Sequence, residues 1–129
     1  MTLKRTEHQE QCAVIQWANY YEAKWPELRL LFAIPNGGAR HIVTARKLKT
    51  EGVKAGVPDL FLPVPKFHSG RGVNNIVPSY GLFIEMKVKP NKPSKEQIMW
   101  IDLLNKQGYR VEVCYSADEA IEVLRGYLE

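Results

Sequence analysis

The chain has 129 residues, of which 45% are hydrophobic and 25% charged, enough for one core and too few for a second full domain. No apolar run reaches the ~18 to 20 residues of a membrane span, and Met1 to Glu10 is too polar for a signal peptide, so a cytoplasmic protein is expected. Eighteen Lys and Arg against fourteen Asp and Glu leave a formal charge of +4, a mild bias that suits a polyanionic partner. Cys12 and Cys114 stand outside any CxxC pair and have no His at ligand spacing, which argues against a disulfide framework or a zinc site. Both read as buried apolar fillers.

Thr6-Glu7-His8-Gln9 has the form of a capping box and predicts a helix from there to about Lys24. Val14, Trp17, Ala18 and Tyr21 form its apolar stripe, and Glu10 lies on that stripe. Leu28 to Ile34 reads as a first strand, closed by the turn Pro35-Asn36-Gly37-Gly38. A cationic helix is predicted from about Ala39 to Glu51, with Gly52 as its stop. Leu60-Phe61-Leu62 reads as a short buried strand. Pro63 to Ser79, with three prolines, two glycines and two asparagines, reads as a long irregular connection. Tyr80 to Val88 is the next strand, on which Glu85 and Lys87 share a face. Ser94-Lys95-Glu96-Gln97 is a second capping box, opening a helix to Lys106; Tyr109 to Tyr115 is a strand, and Ser116 starts a last helix. The expected fold is one α/β domain over residues 1–129, a mixed central sheet flanked by helices in the order αβαββαβα, with Trp17, Trp25 and Trp100 as core aromatics.

The residues that carry chemistry are Asp59, Glu85 and Lys87. A carboxylate at one strand entrance meets a carboxylate and an amine that stand ~6.6 Å apart along the neighbouring strand, close enough to serve one water. Two carboxylates are hard oxygen ligands suited to Mg²⁺ or Mn²⁺, which bind through one or two carboxylates plus phosphate oxygens. A phosphate ester is the substrate class this implies. The plainer reading makes Asp59 a turn former after Pro58 and Glu85 with Lys87 an exposed ion pair worth ~0 to 1 kcal/mol. Gln97 has a plain reading too, as the capping partner of Ser94.

These residues lead to a resemblance. Val57-Pro58-Asp59 followed by Ile84-Glu85-Met86-Lys87 resembles the PD-(D/E)xK nuclease signature. The flanking Asn36-Gly37-Gly38-Ala39-Arg40, Gly52 to Asp59, and Gln97 with Trp100 resemble its VRR-NUC branch, the virus-type replication-repair nucleases, over about Thr6 to Leu124. The resemblance implies a restriction-endonuclease-like PD-(D/E)xK core and a metal-dependent, structure-specific DNA endonuclease of the small stand-alone phage or prophage type. Such proteins act in a bacterial or phage-infected cell and resemble Holliday-junction resolvases working as homodimers. It assigns Asp59, Glu85 and the Met86 backbone carbonyl to the metal, Lys87 to the attacking water, Glu10 to the acidic position of the first helix with Glu7 as competitor, and Gln97 to the site. Asn36, Gly37, Gly38, Arg40, Arg46, Lys47, Lys89, Lys92 and Lys95 are the expected DNA contacts. The rivals are a non-catalytic DNA-binding module that keeps the fold, a flap-type nuclease, and a nucleotide-binding enzyme, the last disfavoured because no G-x-G-x-x-G or G-x-x-x-x-G-K-[ST] pattern is present.

Overall fold

The computed structural model describes residues 4–35, 42–69 and 76–129. Thr6 accepts from the Gln9 amide and the Gln9 side chain accepts from the Thr6 amide, so the predicted capping box opens α1 (Glu7–Tyr21). The expected strand from Leu28 is a single-turn 3-10 helix, Pro26–Leu30, followed by a two-residue edge strand β1 (Phe32–Ala33). Pro26 presets the turn, and the turn lets Leu28 bury itself beneath α1, which a straight strand through that point would not do. Then come α2 (Ile42–Thr50), β2 (Leu60–Leu62), β3 (Lys66–Ser69), β4 (Ile76–Ser79) and β5 (Leu82–Met86). The chain closes with α3 (Lys95–Lys106), β6 (Arg110–Cys114) and α4 (Ala117–Leu128).

The main sheet has the order β1-β2-β5-β6, antiparallel except for the parallel β5–β6 pair. That is the expected mixed sheet, and the order αβαββαβα holds once one insertion is set aside. The insertion is a correction: the segment read as irregular forms an antiparallel ribbon, with Lys66 opposite Ser79 and Ser69 opposite Ile76. Proline caused the misreading, yet Pro78 sits opposite Phe67 in a ribbon only two strands wide, where an edge tolerates a missing donor.

Leu82, Ile84 and Met86 of β5 join Leu60 and Leu62 of β2 on one sheet face, covered by Val14 and Ala18 of α1 and by Ala117, Ala120, Leu124 and Tyr127 of α4. The other face carries an aromatic cluster in which Phe61 stacks on Phe83 at 4.1 Å and Tyr109 meets both edge-on. All five residues of β5 are therefore buried, so neither face of this strand meets water along its length. Trp25 is buried and Trp17 packs against the core, as expected of core aromatics. Cys114 is buried as expected, whereas Cys12 is exposed on α1 with its Sγ 3.5 Å from His8 Nε2. No helix among the described residues is long and apolar enough to cross a membrane.

Candidate active site

Register builds the site. Leu60 pairs with Ile84 and Phe61 with Phe83, so one further antiparallel step sets Asp59 opposite Glu85, on the face away from the aliphatic core. A buried Pro58 leads into Asp59, whose carbonyl accepts from the Ile34 amide at 2.8 Å and whose Oδ2 accepts from the Met86 amide at 2.8 Å. The Asp59 side chain is thus bound to the strand that carries its partner.

Glu85 is 1% exposed. Its Oε1 accepts from Gln97 Nε2 at 2.9 Å, while Gln97 Oε1 accepts from the Ser94 amide at 2.8 Å. The two readings of Gln97 therefore describe one side chain: the capping box fixes its oxygen at the start of α3 and thereby aims its nitrogen at Glu85. Glu85 Oε2 is buried with no hydrogen-bond partner outside its pair with Asp59. Burial pushes the Glu85 carboxyl up to about 9, and the adjacent Asp59 adds to the rise. Burial also raises Asp59, against the pull of the Met86 amide. Lys87 opposes both shifts through its charge, and its amide donates to the Cys114 carbonyl at 2.9 Å, which continues the β5–β6 pairing past the end of the strand.

The first turn of α1 carries both candidate acids, Glu7 and Glu10. Glu7 lies near enough to Asp59 and Glu85 to raise both. Glu10 does point inward, but its Oε2 accepts from the Ala117 amide at 2.6 Å, at the start of α4. Glu10→Ala is expected to lose about 1 kcal/mol of stability, the worth of a carboxylate on a helix-start amide. Glu7→Ala is expected to melt with wild type and to lose about tenfold or more in cleavage. Thermal melts beside a cleavage assay check both, and an inactive Glu10→Ala protein with an unchanged melt would return the role to Glu10.

Gly56 is a part of the site whose structural reason lies in tertiary contact. It has φ +92°, and a Cβ there would stand 2.7 Å from the backbone carbonyl carbon of Glu96, beside Gln97. The loop into Asp59 and the start of α3 thus pass each other at glycine distance. Gly52 has a similar φ of +103° with open space around it. Gly52→Ala is expected to cost about 1 kcal/mol of backbone strain and Gly56→Ala about 2 kcal/mol or more, because the second must also displace α3. Equal melting of the two variants would remove the packing argument.

Met86, expected to offer its carbonyl, offers its amide to Asp59. Arg46 and Lys47 are exposed on α2, and Lys89, Lys92 and Lys95 are exposed between β5 and the first residue of α3. Asn36, Gly37, Gly38 and Arg40 lie outside the described residues.

A mixed sheet that sets an aspartate at one strand entrance against a glutamate and a lysine two positions apart on the next strand has the PD-(D/E)xK arrangement of nucleases. The profile of the VRR-NUC domain matches residues 2–118, and the chain belongs to that nuclease family. A solved structure described as a VRR_NUC domain protein is similar over 98% of this chain and 91% of its own, with 29% identity and a TM-score of 0.73. No curated protein matches the chain.

Proposed function

We propose that this chain is a divalent-metal-dependent, structure-specific DNA endonuclease that hydrolyses phosphodiester bonds in four-way junctions or similar branched DNA. The observation that carries this reading is the pair of carboxyls forced together in a buried setting. Asp59 and Glu85 stand opposite and share a side-chain hydrogen bond, Glu85 Oε2 has no partner outside the pair, and the Met86 amide and Gln97 hold the two carboxyls in place. A hard cation satisfies both groups, so Mg²⁺ or Mn²⁺ fits the donor set. Among the described residues no group of three His, Cys, Asp or Glu side chains could cage an ion. The ion would rest on Asp59, Glu85 and the Met86 carbonyl and complete its shell with water, as Mg²⁺ commonly does. Bound there, it would supply Lewis-acid polarisation of a phosphoryl oxygen and a more acidic water.

The chain's own residues do the rest. The Met86 amide orients Asp59, Gln97 orients Glu85, and Lys87 sets a cation where charge builds on the phosphoryl oxygens. The exposed Lys89, Lys92 and Lys95 continue positive charge outward from Lys87, and with Arg46 and Lys47 they support a DNA backbone track. Asn36, Gly37, Gly38 and Arg40 join that track on the strength of the sequence. A homodimer is part of the proposal, because a two-fold pair presents two sites to two equivalent junction strands. The exposed Ile98, Met99 and Leu103 on α3 support an apolar contact of that kind.

The test is cleavage of labelled four-way junction, flap and linear duplex DNA with Mg²⁺, Mn²⁺ or EDTA, comparing wild type with Asp59→Ala. Paired symmetric nicks that need both metal and Asp59 are expected, from a protein that light scattering finds dimeric. Preferential cutting of flaps would move the substrate and keep the nuclease. Tight junction binding without cleavage of any substrate would favour the non-catalytic binding module.

A further inference from the structure

A cavity where the start of α1, the segment after β5 and the start of α4 meet takes in Lys89, already placed on the DNA track, with Lys4 and Arg5, which have no role above. It holds about 370 Å³ and is lined by Lys4, Arg5 and Lys89, by Tyr115, and by the acids Glu10 and Glu119. The acids offset part of the positive charge and are each held by a backbone amide. Glu10 Oε2 is bound to the Ala117 amide, and Glu119 Oε2 accepts from the Tyr115 amide. The Arg5 guanidinium, whose side chain is 59% exposed, forms a long ion pair with Glu10 at 4.0 Å. Lys4 Nζ donates to the Lys89 carbonyl, which places the segment before α1 beside the segment after β5.

Both walls are shared with the site. Glu7, which faces Asp59 and Glu85, precedes Glu10 by one turn of α1, and Lys87 precedes Lys89 by two residues, at most ~7 Å of chain. Phosphates of one DNA strand advance ~3.4 Å each along the duplex axis, so the cavity stands within a few nucleotides of the carboxylates. Three cations against two carboxylates, which are turned to backbone amides, leave the cavity with an excess of positive charge and a phenol, which suits an anion.

We infer that this cavity seats a second backbone phosphate of the cleaved strand, with Arg5, Lys4 and Lys89 as its positioning residues. The inference rests on the nuclease reading and adds to it the group that fixes strand register across the site.

Fluorescence anisotropy of a labelled four-way junction in EDTA, at salt from about 50 to 200 mM, tests it on wild type, Arg5→Ala, Arg5→Lys, Lys89→Ala and Arg29→Ala. Arg5→Ala and Lys89→Ala are expected to weaken binding about three- to tenfold at the low-salt end. They should also reduce the slope of log K against log salt by up to about 0.9, the worth of one phosphate. Arg5→Lys should keep the slope, as should Arg29→Ala, an exposed arginine outside the cavity. An unchanged slope in both alanine variants would overturn the cavity even where wild type cuts DNA. A reduced slope beside a wild type that never cuts with Mg²⁺ or Mn²⁺ would overturn the nuclease reading and support the cavity as a DNA contact.

Discussion

Glu85→Gln is expected to abolish cleavage while raising the thermal midpoint of the metal-free protein at pH 8 by roughly 5 to 10 °C. The stabilising half follows from linkage. Below about pH 4.5, the ordinary value, Glu85 is neutral folded and unfolded, and its proton has no effect on stability. Above that pH the unfolded chain releases the proton while burial and Asp59 hold it in the fold up to about 9. Stability is therefore complete on the acid side and drains away as pH climbs through that window. Asp59, raised in the same direction, adds to the slope. One pKa unit is worth about 1.4 kcal/mol, and even a third of the interval to pH 8 gives about 2 kcal/mol, or several degrees for a domain of this length. Glutamine is neutral throughout and retains an oxygen for Gln97. The difference between variant and wild type should vanish near pH 4.5, and Mg²⁺ should raise the midpoint of wild type more than that of the variant. Melting curves at pH 5 and pH 8, with and without Mg²⁺, check this. Coincident curves at pH 8 would mean that the buried pair is not under the strain argued here.

Such a variant exposes the conflict at the centre of the fold. A core built for stability alone has no use for a buried carboxyl whose second oxygen lacks a donor outside its pair with another acid. Here the strand that carries it is buried on both faces and made of Leu, Phe, Ile and Met around the one acid. The sequence Leu82-Phe83-Ile84-Glu85-Met86 shows this conflict before any coordinates do. The elements around it were equally readable: two capping boxes set the starts of α1 and α3, and Leu60-Phe61-Leu62 is the strand expected from its composition.

What could not be read is whatever depends on contact between distant segments. The inward turn of Glu10 followed from its place on an apolar stripe, but its partner lies 107 residues away, and nothing in the periodicity of α1 tells an active-site acid from one that holds a helix start. The same limit applies to Gly56, which needs to be glycine because Glu96 passes against it, 40 positions on. Leu28 to Ile34 failed for another reason. Its residues favour a strand, and the packing of Leu28 beneath α1 outweighs that preference. Gln97 is the instructive case, because the local capping rule and a place beside Glu85 stood as rivals, and the capping bond is what aims the side chain at Glu85.

Lys87→Ala is expected to lower single-turnover cleavage by at least about a thousandfold while junction affinity changes less than about threefold. The separation rests on where the cation stands. Lys87 is half-buried, its backbone is fixed by the Cys114 carbonyl, and its charge acts on both carboxyls. A cation so placed interacts most strongly with charge that develops on the phosphoryl oxygens in the transition state, and removal of one such preorganised group costs about a hundred- to a thousandfold. Its loss also leaves the repulsion between Asp59 and Glu85 unopposed, which weakens their hold on a cation and adds to the deficit. Ground-state affinity for DNA is spread over exposed lysines and arginines that the substitution leaves in place, so one contact fewer barely registers. Lys87→Arg should restore little, because a planar guanidinium cannot replace a compact ammonium in a half-buried position. Single-turnover rates at saturating Mg²⁺, with anisotropy of the same junction in EDTA, separate the two effects. A parallel fall in affinity and rate would make Lys87 a DNA contact, and undiminished cleavage would remove it from the chemistry altogether.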